Sequence, residues 1–208
     1  VKRWWLAGGL LAVTLMLNLP PVRAMDLAAR DVSDAHRPQL AYDIVVNINR
    51  LGSGGALTAI AAAIAVVLAW RRRTPRPVLL VVAAFALTVV TTELFKWIVD
   101  RPAPHAVTGG GVSYPSGHAV NSIVWYAVLC ALLAPPPRLR ALIRWAPPVI
   151  LAGTTAYLGF HWVTDVMAGL LLGLLIEQAI PQTLMTSTPA ALNGAKSASP
   201  ASSSVMRV

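Results

Sequence analysis

The chain has 208 residues, 56% of them hydrophobic and only 12% charged, with a mean hydropathy of +0.64. A soluble domain carries roughly a quarter charged residues, so an ordinary water-soluble globule is excluded. The single cysteine, Cys130, also excludes a disulfide framework and a multi-cysteine metal site. The net charge of +9 does not point to nucleic acid, because the basic residues lie between apolar runs and not along one polar face.

Six apolar segments follow in chain order: 4–19, 54–70, 78–99, 119–134, 146–160 and 166–180. A spanning helix needs about 20 apolar residues. The third segment meets this outright. Leu142 and Ile143 can extend the fifth, and 161–165 can link the fifth to the sixth at one membrane face. Long polar helix faces, which a soluble bundle would need, are missing. The expected fold is an all-α, six-transmembrane-helix bundle over residues 1–181, a multi-pass cell-membrane protein with membrane lipids around it.

The charges orient this bundle. With the termini and the 71–76 and 138–144 loops on one side, that side holds eleven Lys and Arg against Glu177, a balance of +10. The other holds six basic against seven acidic residues, a balance of −1. Basic residues stay in the cytoplasm, so both termini are expected there. The first segment has two readings. Lys2, Arg3 and the small residues around Val22 and Ala24 resemble a signal peptide with its cleavage site; the favoured reading is an uncleaved helix. Residues 25–50 form the longest polar stretch, with a short amphipathic helix expected at 41–48 and a turn at 51–55. The tail, 182–208, is rich in Ser, Ala, Pro and Thr and is expected to be disordered and cytoplasmic. Gly169 and Gly173 allow close helix contact, within the chain or between copies.

This topology gathers polar groups at the extracytoplasmic face. Lys96 ends the third segment and Arg101 follows in the next loop. Tyr114-Pro115-Ser116-Gly117-His118 opens the fourth, His161 ends the fifth and Asp165 starts the sixth. Ionisable groups at membrane depth are costly and are usually functional or paired. Ser116 suits an N-cap, and Gly117 lets a ligand approach the free N–H groups and positive dipole end of the helix. His161 and Asp165, four residues apart, can meet on one helical turn. An Asp–His contact fixes the tautomer and strengthens the other ring nitrogen as a base or nucleophile. Lys96 and Arg101 can neutralise phosphate oxygens. Each also has a structural reading, Lys96 pairing with Glu93 and Arg101 lying beside Asp100. A metal site of His118, His161 and Asp165 is an alternative that lacks a thiolate or further acidic ligand.

These residues resemble the type 2 phosphatidic acid phosphatase superfamily, the lipid phosphate phosphatases. Its pattern is Lys, six residues, Arg-Pro; then Pro-Ser-Gly-His; then Ser-Arg, five residues, His, three residues, Asp. The chain has Pro115-Ser116-Gly117-His118 intact, and His161 with Asp165 at the right spacing. Two arginines are missing. Ala103 stands at the first block's arginine, with Arg101-Pro102 just before it, and Thr154-Thr155 stands for Ser-Arg. A threonine hydroxyl does not replace an arginine fork; Arg50 or His105 are candidates to supply charge instead.

The resemblance implies a two-step phosphoryl transfer without cofactor or metal. His161 attacks phosphorus, Asp165 orients it, and His118 protonates the leaving oxygen and then activates water. Lys96, Arg101, Ser116 and the Gly117 amide hold the phosphate oxygens. The implied substrate is a lipid phosphate or diphosphate: a polyprenyl diphosphate such as undecaprenyl diphosphate, phosphatidic acid or phosphatidylglycerol phosphate. The alternatives are a phosphotransferase of the same fold that uses an alcohol acceptor, a non-catalytic headgroup-binding relative and a metal-dependent hydrolase.

Overall fold

The computed structural model describes residues 3–52, 54–106 and 111–186. Within them the chain forms nine helices in sequence: α1 (Arg3–Met16), α2 (Pro20–Ala35), α3 (Gln39–Leu51), α4 (Gly54–Arg72), α5 (Arg76–Val99), α6 (Gly117–Leu133), α7 (Pro137–Tyr157), α8 (Val163–Ala179) and α9 (Gln182–Met185). Strand pairing among the described residues is confined to one antiparallel bridge, Pro102 to Val112.

α6 is the central helix. Its most buried side chains include Val120, Val124, Trp125 and Val128, and it packs against α4, α5, α7 and α8. Glycines on α8 let it approach α6 closely. A Cβ at Gly169 would lie 2.6 Å from the Ser116 carbonyl oxygen, and one at Gly173 would lie 2.8 Å from Ile123 Cβ. The small-residue pair noted in the sequence therefore serves packing within the chain, as small residues do in membrane bundles.

Two helical stretches are long and apolar enough to cross a membrane on their own, Gln39–Arg72 and Arg76–Val99. Side chains along α5, among them Leu79, Val82, Phe85, Val90 and Leu94, face outward. Such a face suits lipid and is rare on a soluble monomer. Exposed tryptophans flank the apolar zone: Trp4, Trp5 and Trp70 at one end, and Trp97 at the other, as expected of rings at a headgroup boundary.

The structure departs from the expected elements in three places. The polar stretch after the first segment is not a loop with one short helix. Pro20 and Pro21, whose missing N–H groups cost nothing at a helix start, begin α2 after a bend of 87° from α1. α3 then covers 39–51 rather than 41–48. The 138–144 loop is instead the first two turns of α7, which starts at Pro137 and carries Pro147 and Pro148 inside it. The expected disordered tail opens with α9, whose Leu184 and Met185 pack on the core; 187–208 lie outside the described residues.

The bundle has two chemically different ends. At one, Arg3 donates to the Gln178 carbonyl and Arg144 pairs with Glu177. At the other lie the starts of α6 and α8, the ends of α5 and α7, and α2, which packs across α7 and α8.

Candidate active site

The site is built on the turn after α5. Asp100 takes a left-handed conformation, φ 44°, and ends the helix. The chain leaves through Arg101 and returns through Ser113, whose N–H donates to the Arg101 carbonyl at 2.7 Å. Tyr114 is fully buried, and its hydroxyl lies 2.6 Å from that of Thr14 on α1. Burial pushes the phenol above its ordinary value, so it stays neutral. α6 then starts at Ser116, which acts as N-cap by accepting from the Ala119 N–H at 3.5 Å. The Ser116 N–H donates to the Asp165 carbonyl at 2.9 Å, which ties the starts of α6 and α8 together.

His118 and His161 meet across this junction, with ring centroids 6.4 Å apart in an edge-on arrangement. His161 Nδ1 lies 2.8 Å from the Ser113 carbonyl oxygen. A carbonyl only accepts, so the contact requires hydrogen on Nδ1 and leaves the lone pair on Nε2. The expected Asp165–His161 contact is longer: Asp165 Oδ2 stands 3.8 Å from Nδ1. The reason is competition for the carboxylate. Oδ2 accepts the Trp162 N–H at 3.0 Å, at the first turn of α8. Oδ1 accepts from Arg101 Nη1 at 2.6 Å.

Arg101 is held in a buried ion network. It donates through Nη1 to Asp165 and to the Thr164 hydroxyl, and through Nη2 to Asp26 Oδ2 at 2.7 Å. Asp26, 1% exposed, also accepts the Thr164 N–H at 3.1 Å and its hydroxyl at 2.6 Å. Both terminal nitrogens of the residue expected to bind phosphate are thus engaged by protein oxygens. Two acidic groups face one guanidinium here, and the hydroxyl and N–H donors share the excess negative charge.

Asp26 is the site-neighbouring residue that sequence reasoning missed, counted only as an outer loop charge. Its signal lies in α2: Asp26, Ala29 and Ser33 fall on one helical face, and Ser33 Oγ donates to the Tyr157 carbonyl. Lys96 makes no hydrogen bond to either histidine among the described residues. It pairs with Glu93 at 2.9 Å, and together with Gly117 it lines a cavity between α4, α5 and α6. A Cβ at Gly117 would meet nothing within 4 Å, so the helix start there is open to a ligand.

The positions of the missing arginines are filled differently. Thr155 is fully buried and accepts from Asn49 Nδ2 at 2.9 Å, while Thr154 accepts from the same amide at 3.1 Å. His105 lies over Gly159, φ +70°, where a Cβ would come within 2.5 Å of its ring; its Nε2 is 3.4 Å from Asp34. Arg50 is exposed at the end of α3. Neither candidate replacement occupies the place of position 155. Among the described residues, no group of three or more His, Cys, Asp or Glu side chains is arranged to hold a metal.

Comparison with known proteins places this arrangement. The chain is 25% identical over 176 residues to phosphatidylglycerophosphatase B of Bacillus subtilis, covering 80% of this chain and 86% of that one. It is 29% identical over 111 residues to undecaprenyl-diphosphatase of Sulfolobus acidocaldarius, covering 49% of this chain and 52% of that one. Its fold matches the crystal structure of the transmembrane PAP2 type phosphatidylglycerolphosphate phosphatase from Bacillus subtilis, with a TM-score of 0.76 and 22% identity, over 86% of this chain and 94% of that one. The PAP2 superfamily model matches residues 77–189, which hold both histidines, Arg101 and Asp165. Since that match spans just over half of the sequence, the chain belongs to the PAP2 superfamily.

Proposed function

We propose that the protein is an integral membrane phosphatase of lipid phosphates or diphosphates, crossing the membrane six times with its termini in the cytoplasm and its site on the extracytoplasmic side. The observation that carries the chemistry is the meeting of His118 and His161, with His161 Nδ1 turned to the Ser113 carbonyl. This orientation presents Nε2 as the nucleophile.

In the first step Nε2 forms a bond to phosphorus and the bond from phosphorus to the lipid-side oxygen breaks. That oxygen takes a proton from His118. In the second step His118 removes a proton from water, the hydroxide bonds to phosphorus, and the nitrogen–phosphorus bond breaks to release phosphate. Asp165, 3.8 Å from Nδ1, stabilises the positive imidazole of the intermediate. Ser116, the Gly117 N–H and Lys96 are the groups proposed to hold the phosphoryl oxygens, where charge gathers in the transition state. Arg101 contributes through Asp165, which it fixes, and the electrostatic work falls on fewer cations than the family pattern provides. No metal enters this scheme.

The substrate classes follow from the relatives' names, phosphatidylglycerophosphatase and undecaprenyl-diphosphatase; phosphatidic acid shares the headgroup chemistry. The test is phosphate release by purified protein in detergent, with chelator present, from phosphatidylglycerol phosphate, phosphatidic acid and a polyprenyl diphosphate. His161→Ala is expected to abolish release. His118→Ala is expected to lower it by about 10²- to 10⁴-fold, the usual share of a general acid–base. Wild type inactive on all three lipids, or alanine variants that match it, would falsify the catalytic reading. Release that is seen without chelator and abolished by it would point to a metal hydrolase, and a new phosphoester in place of free phosphate to a transferase.

A further inference from the structure

The cavity beside His161 bears on the two missing arginines. It is about 230 Å³ in volume and lies between α2, the loop after α5, the turn after α7 and the start of α8. Pro104 and Ala156 line it. They directly follow Ala103 and Thr155, the positions where the family pattern has arginine. Much of the remaining wall is apolar, from Ala29 and Val32 on α2 to Val163 on α8. Its titratable side chains, besides His161 and the phenol of Tyr157, are Asp26, Arg30 and His36. Asp26 is closed to a ligand, because Arg101 and Thr164 engage both of its oxygens. Ser33 gives its hydroxyl to the Tyr157 carbonyl, and His36 Nδ1 lies 2.9 Å from the Val32 carbonyl oxygen.

Arg30 is held differently from Arg101. Both guanidiniums lie over the Trp162 ring, 5.8 Å and 5.2 Å from its centroid. Arg101 commits both terminal nitrogens to Asp26, Asp165 and Thr164. Arg30 keeps 29% of its side chain exposed and gives Nε and Nη2 to one oxygen of Asp31, a residue that is itself 64% exposed. Its Nη1 makes no hydrogen bond among the described residues. An ion pair this exposed is weak, so a phosphate can take the guanidinium over. The apolar wall then strengthens the new contact.

We infer that Arg30 is a substrate-binding residue: it holds phosphoryl oxygens beside His161 and supplies from α2 part of the charge that the family pattern takes from positions 103 and 155. It does so from outside residues 77–189, the segment that the family model matches. The inference rests on the phosphate site proposed above. α2 sets the position of Arg30, which follows Asp26 by one helical turn. The bonds of Asp26 to Arg101 and Thr164 dock that turn on the start of α8. With phosphorus at His161, the Arg30 fork turns from Asp31 to two phosphoryl oxygens, the geometry that suits a guanidinium best.

The test measures phosphate release from the lipid that the wild type turns over fastest, with inorganic phosphate added as a product inhibitor. Arg30→Gln is expected to lower kcat/KM by about ten- to a hundredfold, the value of a hydrogen bond to a charged group, and to raise the inhibition constant of phosphate by about tenfold. Its unfolding temperature in detergent should stay that of the wild type. Arg30→Lys, which keeps the charge and loses the fork, is expected to recover part of both effects. Asp31→Asn, which removes the competing carboxylate, is expected to tighten phosphate inhibition. An Arg30→Gln protein that matches the wild type, or that loses rate while phosphate inhibition is unchanged, overturns the inference, while release that depends on His161 upholds the site. If the wild type releases phosphate from none of the lipids, the site reading fails and this inference with it.

Discussion

Arg101 reaches Asp26 across 75 positions of sequence, Nη2 to Oδ2 at 2.7 Å, and so joins α2 to the loop that carries the candidate site. Asp26 is 1% exposed and Arg101 14%, so neither charge can turn to water when the other is removed. Breaking such a pair from one side costs about 3–5 kcal/mol. Asp26→Ala is therefore expected to lower the unfolding temperature in detergent clearly. Asp26→Asn, which still reaches Thr164, is expected to lower it less. Because Arg101 also holds Asp165, activity should fall mainly in kcat, with little change in KM. An Asp26→Ala protein that unfolds and turns over like the wild type would show that the network positions nothing.

Thr155 and Asn49 meet at the place where the family pattern has its third-block arginine. Thr155 has no exposed surface, and its hydroxyl accepts from Asn49 and donates to the Leu151 carbonyl. An arginine there has no room and loses both bonds. Restoring it alone, Thr155→Arg, is expected to lower stability by about 1–3 kcal/mol, the usual cost of overpacking, and to give no gain in phosphate release. Asn49→Ala/Thr155→Arg, which clears the neighbouring amide, is expected to recover part of the loss. A single Thr155→Arg protein that is faster and as stable would mean that the threonine is no structural replacement.

The sequence was informative where chemistry is local and silent where it is brought together from a distance. Ser116 at an N-cap and Gly117 at an open helix start followed from short-range pattern, and His118 with His161 at one end of the bundle from the order of the apolar segments. The burial of Asp26 did not, because α2 is polar along much of its length and reads as a loop between spans. Its helical state depends on Pro20-Pro21 at the start and on packing against α7 and α8. The His161–Asp165 spacing likewise promised a direct bond. The structure gives that place to the Ser113 carbonyl, because both carboxylate oxygens are committed to Trp162 and Arg101. Periodicity cannot weigh such competition for one acceptor.

Gly169 sets how closely α8 approaches α6. A Cβ there would lie 2.6 Å from the Ser116 carbonyl oxygen and 2.8 Å from Ala119 Cβ, and neither backbone nor methyl can swing aside. Gly169→Ala is expected to push the first turns of the two helices apart. It should weaken the Ser116-to-Asp165 backbone bond and cut phosphate release by up to about a hundredfold, the scale of a 1 Å misplacement. Gly8→Ala on α1, where a Cβ meets nothing within 4 Å, is the control. It should leave activity unchanged and stabilise slightly, since alanine is the better helix former. Equal behaviour of the two variants would remove the glycine from the account of the site.

The proposed placement of the site outside the cytoplasm predicts a labelling pattern. Ala28 on α2 and Pro75 between α4 and α5 are both exposed and lie at opposite ends of the bundle. In a Cys130→Ala background, Ala28→Cys is expected to react in intact cells with a membrane-impermeant thiol reagent, whereas Pro75→Cys should react only after the membrane is opened. The charge balance of +10 against −1 drives this expectation, because arginines beside α4, α5 and α7 resist translocation. Moving that balance should move the label. Replacing Arg71, Arg72 and Arg73 by glutamine removes three of the eleven basic residues on the retained side and is expected to make some Pro75→Cys copies reactive from outside. Labelling of Pro75→Cys and not Ala28→Cys in intact cells would invert the topology and put the histidine pair on the cytoplasmic side.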